Sequence, residues 1–186
     1  MSENLRTFTR AVYAFDAVVQ RTADHQWGND TPCDGWDARQ LLEHQCAVLN
    51  GVQRIAETGA MARPTPPASM DDPQGAWADT RDRLLATLDR QGALAQQGPF
   101  WFDLATVDDL IGTVMWDPVA HAWDLAQATG QPHGISEDLA EAAIAVIEPV
   151  ADSMAESGRT AGVLEAAADA SAIDRYLALT GRSPSS

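Results

Sequence analysis

Leu5, Phe8, Val12, Phe15 and Val19 recur at spacings of three or four residues. Such a stripe covers one face of an α-helix, whereas a strand would alternate every second residue. Similar stripes recur along the chain and no strong strand pattern competes with them, so the residues predict an all-α protein. The first helix spans about 3–24 and ends where Gly28, Asn29 and Asp30 break it. Pro32 and Gly35 then mark a turn, after which Asp37 and Gln40 form a capping box. Leu41, Leu42, Val48, Leu49, Val52 and Ile55 give the second helix its apolar face, and Gly59 closes it near residue 58.

Four prolines, Pro64, Pro66, Pro67 and Pro73, make the segment around 60–73 a loop. A third helix is expected over about 74–91, with Trp77, Leu84, Leu85 and Leu88 on one side. Residues 92–109 are ambiguous and part of them reads as extended. A fourth helix follows over about 108–129, ending at Gly130. Ser136 caps a fifth, in which Pro149 predicts a kink. Residues 158–170 show no clear pattern, and 171–186 read as a short helix with a fraying tail. The whole suits one domain over 1–186: an antiparallel four-helix core over about 3–130 and a C-terminal helical extension over about 136–182.

Twelve basic against 27 acidic residues leave a formal charge of −15. That surface disfavours nucleic acid and anionic membranes as partners. No run approaches the roughly 20 apolar residues of a membrane span, and "MSENLRTFTR" lacks the layout of a signal peptide. Cys33 and Cys46 are too few for a disulfide framework, so a cytoplasmic protein with reduced thiols is expected. No Gly-rich phosphate loop, G-x-S-x-G or C-x-x-C is present, which sets aside nucleotide-binding folds and hydrolase triads.

Candidate chemistry therefore rests on few side chains. His44 lies between Leu41 and Val48 on the core side of the second helix. Asp117 and His121 stand four apart in the fourth, on one face and about 6 Å from each other. Two such side chains and a His from a facing helix can converge on one divalent ion, with room left for water or substrate. The bland alternative is also open. Pro118 suits the start of a helix, and Asp117 would then be its N-cap, or Asp117 simply bonds His121. Asp124 is either an exposed acid or a partner that orients a ligand. Cys46 reads as a small core residue and Cys33 as a turn thiol near the site. His25 reads as a helix-end residue, and His133 as solvated in a turn. Trp36 and Trp123 either wall a pocket or pack in the core. No catalytic or cofactor-binding residue is assigned.

"TPCDGWDARQLLEH" (31–44) with "HAWDLAQATG" (121–130) resembles the DinB-like superfamily, and more narrowly its actinobacterial branch related to mycothiol-dependent maleylpyruvate isomerase. "RYLALTGRSP" (175–184) is similar to how that branch ends. The resemblance implies a four-helix bundle holding a divalent metal, zinc or nickel, on a His in helix two and a Glu-x-x-x-His pair in a later helix. Those positions fall on His44, Asp117 and His121, with Asp117 one methylene shorter than the usual Glu. It further implies a low-molecular-weight thiol of the mycothiol type as cosubstrate. The metal would activate its thiolate for S-transfer to a small electrophile, or for isomerisation by addition to a cis double bond and elimination. A homodimer is left open. Two rival readings remain. One is a non-catalytic module in which the three residues form a polar cluster or structural clip. The other is a non-haem iron oxygenase, which shares a two-His, one-carboxylate set.

Overall fold

In the computed structural model, which describes residues 1–60, 63–100 and 103–183, the chain is a helical bundle with one small hairpin. Four rods form the core: α1 (Glu3–Val19), α2 (Ala38–Thr58), α3 (Pro73–Leu88), and a broken rod made of α4 (Val107–Val114) and α5 (Trp116–Thr129). Ser2 caps α1 by accepting from Leu5 N at 3.1 Å. Phe8, Val12, Phe15 and Val19 of the expected stripe are fully buried, with Leu5 packed at its edge. The reciprocal Asp37–Gln40 box caps α2, and Gly59 ends it in the left-handed conformation. Phe15 meets Trp77 of α3 edge-on, ring centroids 4.8 Å apart, at the centre of the core.

The first helix covers its stripe but is shorter than the expected span of about 3–24. It stops at Val19 because the amide of Gln74, from α3, takes the carbonyls of Val19, Gln20 and Thr22. A separate 3₁₀ turn, Asp24–Gln26, follows. The third helix likewise ends earlier than expected, at Leu88. The ambiguous stretch contains a two-stranded antiparallel hairpin, β1 (Gln97–Phe100) and β2 (Asp103–Thr106), with Gln97 opposite Thr106. Residues 101–102 lie outside the described residues, as do 61–62 of the proline-rich loop and the tail from 184.

The expected fourth helix is two. Pro118 has no N–H to offer the carbonyl of Val114, and its ring crowds that carbonyl, so α4 ends there and α5 begins after Met115. Beyond Gly130, α6 (Glu137–Ile147) is broken at Pro149 by a 3₁₀ turn, Glu148–Val150, before α7 (Ala151–Glu156). Ser136 sits at the N-cap position of α6, but its hydroxyl donates to the Asp138 carboxylate instead of capping. The last helix, α8 (Ala172–Leu179), packs on α6 and buries Tyr176 and Leu177. Among the described residues no helix is long and apolar enough to cross a membrane.

Candidate metal centre

The break after Met115 fixes where Asp117 sits. The new helix begins one residue before it, so Asp117 falls in the first turn of α5, where backbone N–H groups need no helical acceptor and Pro118 is tolerated. Its carboxylate does not cap the helix; its partners are the side chains of His44, Gln45 and His121. His44 and Gln45 come from the middle of α2. His121, one turn after Asp117, is presented on the same face of α5.

The three expected side chains meet. His44 Nε2 lies 3.6 Å from Asp117 Oδ2, and His121 Nε2 lies 3.6 Å from Asp117 Oδ1. These separations are long for hydrogen bonds. Two donors bound to one ion at about 2.1 Å and a tetrahedral angle stand about 3.4 Å apart, so the spacing fits a shared cation. All three donor atoms lie within 4.8 Å of one another. The imidazole rings stand nearly perpendicular, interplanar angle 76°, with centroids 5.1 Å apart. Two imidazoles and one carboxylate are a donor set for Zn²⁺, Ni²⁺ or Fe²⁺ and leave coordination positions over. His121 is buried, whereas the His44 side chain is 32% exposed, so the cluster is reached from the His44 side. Trp36, in the turn before α2, forms a wall there, its ring 4.9 Å from that of His44.

Behind the donors stands a layer that fixes His121. Asp124, one turn later on α5 and fully buried, accepts from His121 Nδ1 at 2.8 Å. An ionised carboxylate can only accept, so Nδ1 carries the proton and Nε2 faces Asp117 and His44. Asp124 is held in turn by a bidentate fork from Arg182, Nε to Oδ1 at 2.8 Å and Nη2 to Oδ2 at 2.7 Å. The Cys33 thiol donates to the same carboxylate at 3.2 Å. Asp124 is therefore not an exposed helix acid: it is buried and fixes the orientation of the His121 ring. Cys33, His121 and Asp124 also lie close enough to be a donor group. The fixed positive charge of Arg182 beside Asp124 opposes a cation at this second group.

Charge follows geometry. Burial alone would lower the basicity of His121, but the negative charge of Asp117 and the hydrogen bond to Asp124, with the Cys33 thiol close by, outweigh it and raise its pKa well above the usual value. Burial likewise works against ionised Asp117 and Asp124. His121 and His44 for the one, Arg182 and His121 for the other, outweigh it and hold both carboxyls well below the usual range.

Three contributing residues escaped the sequence reading. Gln45 is a fully buried amide that donates to Asp117 Oδ2 at 2.5 Å; a polar side chain in an apolar helical stripe was its signal. Tyr176 donates to the carbonyl of Trp116 at 2.5 Å, so α8 latches the start of α5. Arg182 is the other end of that latch, and "YLALTGR" carried both. The other candidates lie elsewhere. Cys46 and Trp123 are core residues, His25 is exposed in its turn, and His133 is half-buried with Nδ1 accepting from Ile135 N at 3.1 Å.

Residues 8–126 match the family model described as the mycothiol maleylpyruvate isomerase N-terminal domain. The match includes His44, Asp117, His121 and Asp124, and stops short of Tyr176 and Arg182. Two uncharacterized proteins of Mycobacterium tuberculosis, from strains CDC 1551 and H37Rv, are each 30% identical over 140 residues, covering 73% of this chain and 72% of theirs.

Proposed function

The chain belongs to the family of the mycothiol maleylpyruvate isomerase N-terminal domain, and from that premise we infer a divalent-metal protein that uses a mycothiol-type thiol for S-transfer or isomerisation. The observation that carries this reading is the triangle of His44, Asp117 and His121, whose donor atoms are spaced as ligands of one ion and open to solvent beside His44. The family resemblance, more than the donor set, favours zinc or nickel over iron. When bound, such an ion supplies Lewis acidity that favours thiolate over thiol at neutral pH. The chain's own residues do the rest. Asp124 and Arg182 lock His121 in the tautomer that leaves Nε2 available, and Gln45 steadies Asp117. Trp36 offers an apolar wall for the carbon skeleton of a small electrophile. A cytoplasmic setting fits this reading, because a thiol cosubstrate must stay reduced. The half-exposed His44 favours an open working site over a closed structural clip.

Protein purified without a histidine tag should carry about one equivalent of Zn or Ni by elemental analysis. A His44→Ala/His121→Ala variant should lose it. The parent should consume mycothiol in the presence of a maleyl-type or haloalkyl electrophile, and the variant should not. Undiminished metal in the variant would overturn the ligand assignment. Stoichiometric metal without thiol consumption across electrophile classes would leave a metal module and remove the enzyme.

A further inference from the structure

On another side of the bundle, α2, α3 and the proline-rich segment line a shallow, open groove of about 500 Å³. Its lining reverses the composition of the chain. The whole protein has 12 basic and 27 acidic residues, yet the groove gathers Arg54, Arg63 and Arg83 against Glu57 and Asp79. Glu57 is already engaged by Arg90, at 3.2 Å from outside the lining. Among the described residues, none of the three arginines has a carboxylate partner; Arg83 donates its Nε to the Asp79 carbonyl. They come from three separate segments, so helical periodicity does not explain their meeting.

The groove is also tied in place. Asn50 Nδ2 donates to the Thr65 carbonyl at 2.9 Å, and Arg39 to the Met70 carbonyl, so the segment is pinned to α2 at both ends. Pro66 and Pro67 stiffen it between those pins, and Pro64 restricts the chain just before the first. His44 belongs to a different face of α2 and is not among the lining residues.

We propose that this groove is a binding site for a small polyanion, a metabolite bearing phosphate or carboxylate groups. Guanidinium forks match both groups in a planar, two-point geometry, and the volume suits a small-molecule ligand, for which pockets run to about 300–1,000 Å³. In a chain of charge −15, diffuse attraction of anions is absent, so a polyanion that binds must do so through a local cluster of this kind.

The test is calorimetric titration of the full chain with pyrophosphate and with citrate, at low and at moderate salt. Saturable one-to-one binding is expected for at least one probe, weakening with salt. The tighter probe assigns the chemistry: pyrophosphate for a phosphate ligand, citrate for a polycarboxylate. An Arg54→Ala/Arg63→Ala/Arg83→Ala variant should bind at least tenfold more weakly. Substituting the exposed Arg6, outside the groove, should change nothing. His44→Ala should also leave binding intact, which separates this site from an anion lodged at the metal centre. No saturable binding of either probe, binding that survives the triple substitution, or binding that disappears with His44→Ala would each overturn the proposal.

Discussion

Asp124→Asn should cost both stability and metal affinity, for separable reasons. The carboxylate is fully buried and accepts four contacts: His121 Nδ1 at 2.8 Å, Arg182 Nε at 2.8 Å and Nη2 at 2.7 Å, and the Cys33 thiol at 3.2 Å. The amide keeps the shape but removes the charge, and it turns an N–H₂ toward groups that are themselves donors. Arg182, its side chain 12% exposed, is left without a counter-charge. Removing one member of a buried ion pair costs about 3–5 kcal/mol. The Arg182 side chain already touches solvent and can turn further into water, so the lower end, about 3 kcal/mol, is expected. Loss of the acceptor behind a ligating imidazole lowers metal affinity about 10–100-fold. Urea denaturation in chelator measures the first effect, and competition against a chromophoric chelator the second. Arg182→Met should be costly alone, yet in the double variant the two stability losses should fall short of their sum by about 1 kcal/mol or more, because the second change removes the stranded charge. Stability within about 0.5 kcal/mol of the parent, or metal affinity unchanged in Asp124→Asn, would refute the relay.

Metal uptake should release about one proton and strengthen with pH across the neutral range. Without an ion His121 holds its extra proton because Asp117 and Asp124 raise its pKa well above the usual value, and ligation requires neutral Nε2; affinity independent of pH in calorimetry would contradict this. Burial pushes the Cys46 thiol from 9.0 up to about 11. A group with a raised folded pKa contributes stability below its unfolded pKa that is lost as pH rises, so stability should fall by about 1.4 kcal/mol per unit between pH 9 and 11. Cys46→Ala should remove that part of the pH dependence in denaturant titrations. Gly59→Ala should lower the melting temperature more than Gly92→Ala. Both glycines have positive φ, +66° and +85°, costing an L-residue about 1–2 kcal/mol. A Cβ at Gly59 would additionally stand 2.9 Å from the Gln97 carbonyl oxygen, while at Gly92 it meets open space. Equal shifts would show that the close approach of the hairpin to α2 carries no energy.

What could be read from the sequence sorts by the range of the interaction. The stripes of α1 and α2, the Asp37–Gln40 box and the i, i+4 pair Asp117–His121 are local patterns, and the structure keeps them, except that Val48 of the α2 stripe is only partly buried and stands outside the core. Helix ends set from elsewhere were not legible: nothing in residues 20–24 announces that Gln74, 55 residues beyond Val19, takes the carbonyl there. Pro118 shows how one residue supports two readings. It does mark a helix start, as a prolyl residue in a first turn should. The inference that Asp117 must then be the cap fails because the helix begins at Trp116, which moves Asp117 inside the first turn and frees its side chain.

The same division explains the support of the site. The three proposed donors lie within residues 44–121, whereas the residue that anchors the His121 relay, Arg182, is 58 positions beyond Asp124. Tyr176 reaches the Trp116 carbonyl across 60. The two bonds grip α5 just before Asp117 and again at Asp124, bracketing the pair that must face His44. A helix interrupted at Met115 has lost part of its own ladder at that point and would be free to tilt there. The terminal helix restores the rigidity that the break removes. Truncation before Ala172 should therefore weaken metal binding at least as much as Asp124→Asn does, while leaving most of the helical circular-dichroism signal in place. A truncated chain that binds metal as tightly as the parent would show that the bundle orients its histidines unaided.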